Sequence, residues 1–182
     1  IGSLSSSGLT AGSGEANTGS GIIINGSNNI IGGTTAADRN VIAGNGNDGI
    51  GISNETAQSN QVLGNYVGVD STGATKLANG AQGIWIGSGT DNNIIGGTQP
   101  GAGNVIGGNT FAGIEINGTG TTGNQVHGNY IGTNSSGTVN LGNSVDGVYL
   151  VNGASGNTIG GTTAGSGNTI AFNGSNGIGV QN

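Results

Sequence analysis

The large aliphatic residues of this chain fall into short stretches in which they alternate with other residues. The clearest stretch reads Gly-Ile-x-Ile or a close variant, and its copies begin at Gly21, Gly49, Gly83, Gly113, Gly147 and Gly177. Two shorter stretches, Asn-x-Ile or Asn-x-Val, follow each of the first five copies. A two-residue period bounded by Gly, Asn and Ser is typical of strands and turns, and no segment has the 3.6-residue period of a helix. The pattern predicts three short strands in every 30–34 residues.

The same pattern recurs over a longer distance. Residues 29–92 align with residues 93–156 without a gap, and 27 of the 64 positions are identical. Self-similarity at a fixed period indicates stacked repeats, which a flexible linker has no reason to maintain. We therefore predict an all-β fold, a parallel β-helix of about six three-strand coils with a 64-residue super-repeat, over residues 21–182. Residues 1–20 are predicted to hold part of a preceding coil.

The alternation within each strand assigns one set of side chains to the interior. On the first wall, built from the Gly-Ile-x-Ile stretches, the inward residues are Ile22, Ile24, Ile50, Ile52, Ile84, Ile86, Ile114, Ile116, Val148 and Leu150. On the second wall they are Ile31, Val62, Ile95, Val126 and Ile159, and on the third wall Ile42, Val67, Ile106, Ile131 and Ile170. A narrow core of this kind needs few large apolar residues.

The asparagines of the Asn-x-Ile stretches share the inward parity of the aliphatic residue that follows. They form two columns: Asn29, Asn60, Asn93, Asn124 and Asn157, and Asn40, Asn65, Asn104, Asn129 and Asn168. A buried amide without a partner costs about 1–3 kcal/mol, but stacked asparagines can bond to turn backbones and to the next coil. We interpret both columns as structural ladders.

The coils resemble the right-handed parallel β-helix repeats of the pectin-lyase-like superfamily. More narrowly, residues 157–162 (Asn-Thr-Ile-Gly-Gly-Thr) and 128–138 (Gly-Asn-Tyr-Ile-Gly-Thr-Asn-Ser-Ser-Gly-Thr) look like repeats of large secreted or surface-exposed bacterial proteins. The resemblance covers nearly the whole chain from about residue 19. It implies a right-handed helix and an extracellular or cell-surface location. These motifs stack coils and are not active-site signatures.

Composition alone favours a linker, because 44 of the 182 residues are glycine, and the repeat register overrides that reading. Charge narrows the function: Lys and Arg together number 2 and the formal net charge is −6, so the basic surface that nucleic acid or anionic lipid requires is missing. No apolar run is long enough to span a membrane. Cysteine is absent. We expect no nucleic-acid or membrane partner, no cofactor and no metal.

The ends of the chain carry a further expectation. The first residues, Ile1-Gly2-Ser3, echo Ile131-Gly132-Thr133, and the last Gly-Ile-x-Val stretch has no polar cap after it. Solenoids need capped ends. We therefore expect a segment of a longer solenoid whose uncapped ends allow end-to-end or lateral self-association.

One outward column of the first wall carries candidate chemistry. Trp85, Glu115 and Tyr149 fall on consecutive coils, about 4.8 Å apart. Aromatic faces beside a carboxylate suit sugar rings, which stack through their C–H faces and bond through their hydroxyls. The column is thus a candidate polysaccharide-binding site. The alternative is a decorated β-surface on which aromatic residues simply fit the pleat.

Other chemistry receives less support. Catalysis of glycoside hydrolysis uses two carboxyls about 5–9.5 Å apart, whereas Asp146, the nearest acid aligned with Glu115, is expected about 11 Å away. Asp48 lies in a near match to a calcium nonapeptide, but the equivalent segments lack the acid, and we interpret it as a turn residue. The outward residues of the third wall are Val41, Tyr66, Val105, Tyr130 and Thr169. They form either a docking strip or a surface covered by long loops, and they match an ice-binding face poorly.

These observations favour a non-enzymatic structural module, a rigid spacer or scaffold within a secreted bacterial protein. The first alternative is a polysaccharide-binding module that uses Trp85, Glu115 and Tyr149. The second is a polysaccharide lyase or glycoside hydrolase, for which no catalytic residue can be assigned. The clustered acids and the catalytic Arg, Lys or His that such enzymes carry on one face are not found here.

Overall fold

The fold, seen in a computed structural model that describes residues 16–181, is a three-sided β-solenoid of about five turns. The described part has strands and turns and no helix. The first sheet comprises β1 (Ile22–Ile24), β4 (Ile50–Ser53), β7 (Ile84–Gly87), β10 (Ile114–Asn117), β13 (Val148–Val151) and β16 (Ile178–Gln181). The second comprises β2 (Ile30–Gly32), β5 (Gln61–Leu63), β8 (Ile94–Gly96), β11 (Gln125–His127) and β14 (Thr158–Ile159). The third comprises β3 (Val41–Ile42), β6 (Tyr66–Val67), β9 (Val105–Ile106), β12 (Tyr130–Ile131) and β15 (Thr169–Ile170).

Every strand pairs in parallel with the corresponding strand of the next coil, so each sheet is one wall of the predicted helix. The prediction of a right-handed parallel β-helix is confirmed. The first sheet holds six strands and the other two hold five each, which gives five complete turns and one additional first-wall strand. Residues 1–15 lie outside the described part of the chain, and the preceding coil predicted there stays a prediction.

The core is a single column of aliphatic side chains enclosed by the three sheets. All the inward residues predicted for the three walls belong to it or pack against it. Residues such as Ile86, Ile95 and Ile106 are fully buried. Two alanines that the pattern did not assign, Ala57 and Ala154, complete the column. Short strands suffice because each coil covers the apolar side chains of the coil before it.

Both predicted asparagine ladders are present. In each step the backbone N–H and the side-chain Nδ2 of one asparagine donate to the Oδ1 of the asparagine one coil later. For Asn60 both distances to Asn93 Oδ1 are 2.9 Å, and Nδ2 also donates to Gly26 O at 2.9 Å. The second ladder is built alike, with Asn104 Nδ2 at 2.8 Å from Asn129 Oδ1. The asparagines of the inner coils are buried and the first and last of each ladder are more exposed, and the buried amides are all paired.

A third ladder lies at the corner before the first wall, and the sequence analysis missed it. Its members are Asn17, Asn45, Asn79, Asn109, Asn143 and Asn173. Each stands four positions before the glycine of a Gly-Ile-x-Ile stretch, so the signal was available in the spacing. The Asn-x-Ile pattern does not reveal it, because the residue two positions after these asparagines does not belong to the aliphatic core. The solenoid thus has one asparagine ladder at each of its three corners.

Close packing requires the glycine that opens each of the first five first-wall strands. A Cβ at Gly83 would lie 2.6 Å from Gly113 O and 2.7 Å from Asn109 Nδ2. The backbone therefore lies directly against the third ladder, and any side chain at this position would push the two coils apart. This contact explains why the stretch begins with glycine wherever a further coil follows.

Two long loops fold back over the third wall. Each is closed by an antiparallel bridge, between Val69 and Lys76 in the first loop and between Thr133 and Asn140 in the second. Val69 and Leu141 pack on Val105, which is 2% exposed although its side chain points away from the core. Of the two readings of this wall, coverage by loops is therefore correct at Val105.

Candidate functional site

The outward column of the first wall has the register that the sequence predicted. Glu115 pairs with Trp85 on one side and with Tyr149 on the other. All three side chains are half-buried. The parallel sheet fixes this order, because the strands pair without a shift and outward positions stack on outward positions. The three candidate residues therefore share one face.

The polar groups of this column are engaged with protein partners. Glu115 accepts one hydrogen bond from Gln82 Nε2 at 2.6 Å and another from Asn117 Nδ2 at 2.7 Å, so both carboxylate oxygens are bonded. The Tyr149 hydroxyl donates to Gln181 Oε1 at 2.5 Å. A sugar hydroxyl would have to share or displace these bonds. The polar surface that remains open therefore lies on the other side of Trp85.

A groove of about 360 Å³ lies on that side. It is lined by Ser20, Ile23, Asn47, Asp48, Gly51, Ser53, Gln82 and Trp85. Gly51 stands between Ile23 and Trp85 in the outward column, and the Ile23 side chain extends over it, since a Cβ at Gly51 would lie 2.8 Å from Ile23 Cδ1. The indole extends along its own strand over Gly87, where a Cβ would lie 2.4 Å from Cζ2. The groove therefore combines an aromatic wall with several short polar side chains.

Asp48 is the ionisable group of the groove, and it is 8% exposed. Burial raises the pKa of this carboxyl above its ordinary value, and the negative charge of Glu115 acts in the same direction. The backbone N–H of Gln82 partly opposes this by donating to Asp48 Oδ1 at 3.2 Å. Gln82 thus connects the two acids, with its backbone on Asp48 and its side chain on Glu115.

The sequence pattern does not connect these two acids. By position, Asp146 is the nearest acid aligned with Glu115, one coil away. Asp146 instead accepts hydrogen bonds from the backbone N–H of Asn176 at 2.6 Å and from its Nδ2 at 3.0 Å. The sequence does contain a signal for the contact between Asp48 and Gln82. Each is the residue immediately before a first-wall glycine, so the two occupy equivalent positions in neighbouring coils.

The remaining ionisable side chains are dispersed over the other walls. Arg39 stacks on the ring of Tyr66, and Lys76 Nζ donates to Gly142 O at 3.0 Å. His127 points outward from the second wall, and its buried Nε2 has no hydrogen-bond partner. Within residues 16–181, no three His, Asp or Glu side chains come together as a possible metal site. The same residues contain no helix suited to crossing a membrane.

Comparison with known proteins gives no relative: no protein-family model, curated protein or solved structure matches this chain.

Proposed function

We propose that this chain is a structural β-solenoid module that serves as a rigid spacer or scaffold. The observation that carries the proposal is the set of three asparagine ladders, one at each corner. Buried hydrogen bonds such as Asn79 Nδ2 to Asn109 Oδ1, at 2.9 Å, link every coil to the next. The strands of all three walls also pair in parallel from coil to coil, so the sheets link the coils along the same axis as the ladders. A construction of this kind resists bending between coils.

The proposal includes a place in a secreted or surface-exposed bacterial protein of the pectin-lyase-like type. Its support is the likeness of the coil motifs in residues 128–138 and 157–162. The ladders also have a direction, because every asparagine donates to the asparagine of the following coil. A further coil, from the same chain or from a second copy, would extend the same bonds. Sedimentation at increasing protein concentration tests the self-association.

The rigidity can be measured directly because the chain contains no cysteine. Ala36 and Ala164 are exposed equivalent positions two super-repeats apart. Four coil spacings separate them, about 19 Å between backbones. In an Ala36→Cys/Ala164→Cys variant carrying spin labels, we expect one narrow distance distribution by pulsed electron–electron resonance. The same sample in denaturant provides the broad reference, and an equally broad distribution in buffer would overturn the proposal.

A second candidate function is polysaccharide binding at the groove beside Trp85. The supporting observation is that the exposed aliphatic residue Ile23, the indole of Trp85 and the carboxyl of Asp48 line one groove. A sugar ring on the indole would reach carboxylate, amide and hydroxyl groups within one groove. Glu115 would then act by holding Gln82 in place.

A glycan-binding screen tests this candidate. We expect Trp85→Ala to reduce binding at least about tenfold, which corresponds to about 1.4 kcal/mol. Tyr149→Ala is the matched aromatic control: it preserves binding if the ligand stays in the groove and weakens binding if the ligand covers the whole column. Binding that is unaffected by Trp85→Ala, or no binding to any glycan, would contradict this function and leave the spacer proposal standing.

A further inference from the structure

A groove lies on the outer face of the third wall. Its volume is about 520 Å³. Among its lining residues are Arg39, Tyr66, Pro100, Val105, Tyr130 and Thr169. Tyr66 and Tyr130 are half-buried and stand two coils apart on the same outward column. The loops that cover Val105 leave this edge of the wall open.

Two equivalent positions, one super-repeat apart, line this groove and carry different residues. In the first, Arg39 Nε donates to Gly64 O at 3.0 Å and the guanidinium lies 4.1 Å from the centre of the Tyr66 ring. In the second, 64 residues later, Gly103 stands where Arg39 stood. A Cβ at Gly103 would lie 2.0 Å from Gly128 O and 3.6 Å from Tyr130 Cε2. Only glycine fits there, so the space that an arginine fills beside Tyr66 stays open beside Tyr130.

The charge of the groove is positive. Arg39 is one of only two Lys or Arg residues in a chain of net charge −6. Within residues 16–181 its hydrogen bond goes to a carbonyl and not to a carboxylate, and no Asp or Glu lines the groove. The adjacent Asp38 is bonded to the backbone N–H and hydroxyl of Thr35. The guanidinium therefore keeps its charge uncompensated while its position is already fixed.

We propose that this groove binds a small aromatic carboxylate. The paired N–H groups at the end of the Arg39 guanidinium hold the carboxylate in a two-point contact, and the aromatic ring of the ligand lies against Tyr130. Two coil spacings, about 9–10 Å, separate the two tyrosines, which suits a ring joined to its carboxylate by a short linker. Stacking on Tyr66 and the bond to Gly64 O fix the guanidinium in advance, which lowers the ordering cost of binding.

The Arg39 guanidinium, which lies on Tyr66, also disfavours positively charged ligands. A guanidinium or ammonium ion over Tyr130 would gain a cation–π contact but would face Arg39 across the same groove, whose lining contains no acid to offset the repulsion. A neutral aromatic ligand would leave the guanidinium without a counter-charge. A ligand therefore needs both a negative charge, which pairs with Arg39, and an aromatic ring, which lies against Tyr130.

Three probes separate these requirements by NMR titration of the ¹⁵N-labelled chain. The first is 3-phenylpropionate, the second its neutral analogue 3-phenylpropanamide, and the third butyrate, which has the carboxylate without the ring. We expect 3-phenylpropionate to shift the amide signals of Gly64, Gly103 and Tyr130 in a saturable way. The other two should bind at least about fivefold more weakly. Equal binding of the acid and its amide would overturn the proposal.

Variants locate the effect. Arg39→Gln should weaken 3-phenylpropionate binding at least about fivefold, and Tyr130→Leu should do the same. Lys76→Gln removes the other positive charge, which lies outside the groove, and should leave binding unchanged. A loss in Lys76→Gln equal to that in Arg39→Gln would reduce the effect to overall charge and contradict the site. The three probes on the unaltered chain keep the test valid if a variant fails to fold.

Discussion

Two stretches of this solenoid, residues 29–92 and 93–156, are built to one plan and differ in where they carry charge. The inward aliphatic residues and the ladder asparagines of one unit recur in the other at the same positions. In contrast, residues 29–92 contain both positively charged residues and five acids, whereas residues 93–156 contain two acids, Glu115 and Asp146. The interior residues therefore specify the coil, whereas the outward and turn positions are free to carry chemistry.

Equivalent positions in the two units are therefore matched controls for one another. Arg39 and Gly103, Asp48 and Ala112, and Asp70 and Asn134 stand at the same places in successive super-repeats. Substitution of an interior residue should lower the free energy of unfolding equally in either unit. Substitution of a charged residue should affect the two units differently, because its counterpart is uncharged.

The largest effects are expected in the core. Ile42→Ala and Ile106→Ala remove equivalent, fully buried side chains, and each should lower the free energy of unfolding by about 2–5 kcal/mol through lost burial and the cavity left behind. Urea denaturation of the two variants checks this. Costs that differ by more than about 2 kcal/mol would break the equivalence of the two units.

The third asparagine ladder should show the same equivalence at a smaller cost. Asn79 accepts from Asn45 Nδ2 at 2.8 Å and donates to Ile42 O at 3.2 Å. Asn143 makes the corresponding bonds to residues 109 and 106. Because an alanine leaves buried donors and acceptors unpaired, Asn79→Ala and Asn143→Ala should each cost about 1–3 kcal/mol in urea denaturation.

Asn25→Ala is the control for the ladder, since Asn25 is exposed and outside it. Its cost should stay within about 0.5 kcal/mol. If the ladder variants cost no more than this control, the buried amides would contribute nothing to stability.

The ladders also show what the sequence could and could not predict. Coil length, register and inward residues follow from a strict two-residue period, and the first two ladders follow because their asparagines precede an inward aliphatic residue. The third ladder has no such neighbour. The contacts of Gln82 with Asp48 and Glu115 and the stacking of Arg39 on Tyr66 join residues 27–34 positions apart through side-chain conformation. Periodicity fixes the backbone position of these residues but not the direction in which a long side chain extends.

The turn that begins the first long loop carries an acid, Asp70, whose equivalent in the second unit is Asn134. The stability of the two units should therefore depend differently on pH. Asp70 is buried, which opposes its charge, but its Oδ1 accepts from the Thr72 hydroxyl at 2.7 Å and from the backbone N–H groups of Thr72, Ala74 and Thr75. These bonds outweigh burial and lower the pKa of Asp70 below its ordinary value. The ionised form therefore stabilises the fold at neutral pH. This contribution is lost as pH falls from about 4 through the folded value.

Asn134 occupies the equivalent turn, and its Oδ1 accepts from the N–H groups of Thr138 and Val139. An amide can thus replace the carboxylate. We expect Asp70→Asn to lower stability by about 1 kcal/mol at pH 7 and by less at about pH 3. Urea denaturation at both pH values measures this. A difference that does not shrink on acidification would show that the charge of Asp70 plays no part.

The smallest effect, of opposite sign, is expected at Asp48, whose counterpart in the second unit is Ala112. Burial, together with Glu115, raises the pKa of Asp48, so the folded chain binds a proton more tightly than the unfolded chain does. Ionisation then opposes folding: the penalty is absent below the ordinary pKa, grows as pH rises from about 4 to the folded value, and is constant above it.

Asp48→Asn removes that charge while leaving an acceptor for the Gln82 N–H. We expect it to raise the free energy of unfolding at pH 7 by up to about 1 kcal/mol, and to have no effect at about pH 3. Glu115→Gln removes the neighbouring charge but also one of the two oxygens that accept from Gln82 and Asn117, so its gain should be smaller than that of Asp48→Asn. If Asp48→Asn instead destabilises the chain at pH 7, the carboxylate is held by stronger bonds than the Gln82 N–H provides. In that case the two acids of the first unit, Asp48 and Asp70, would act alike.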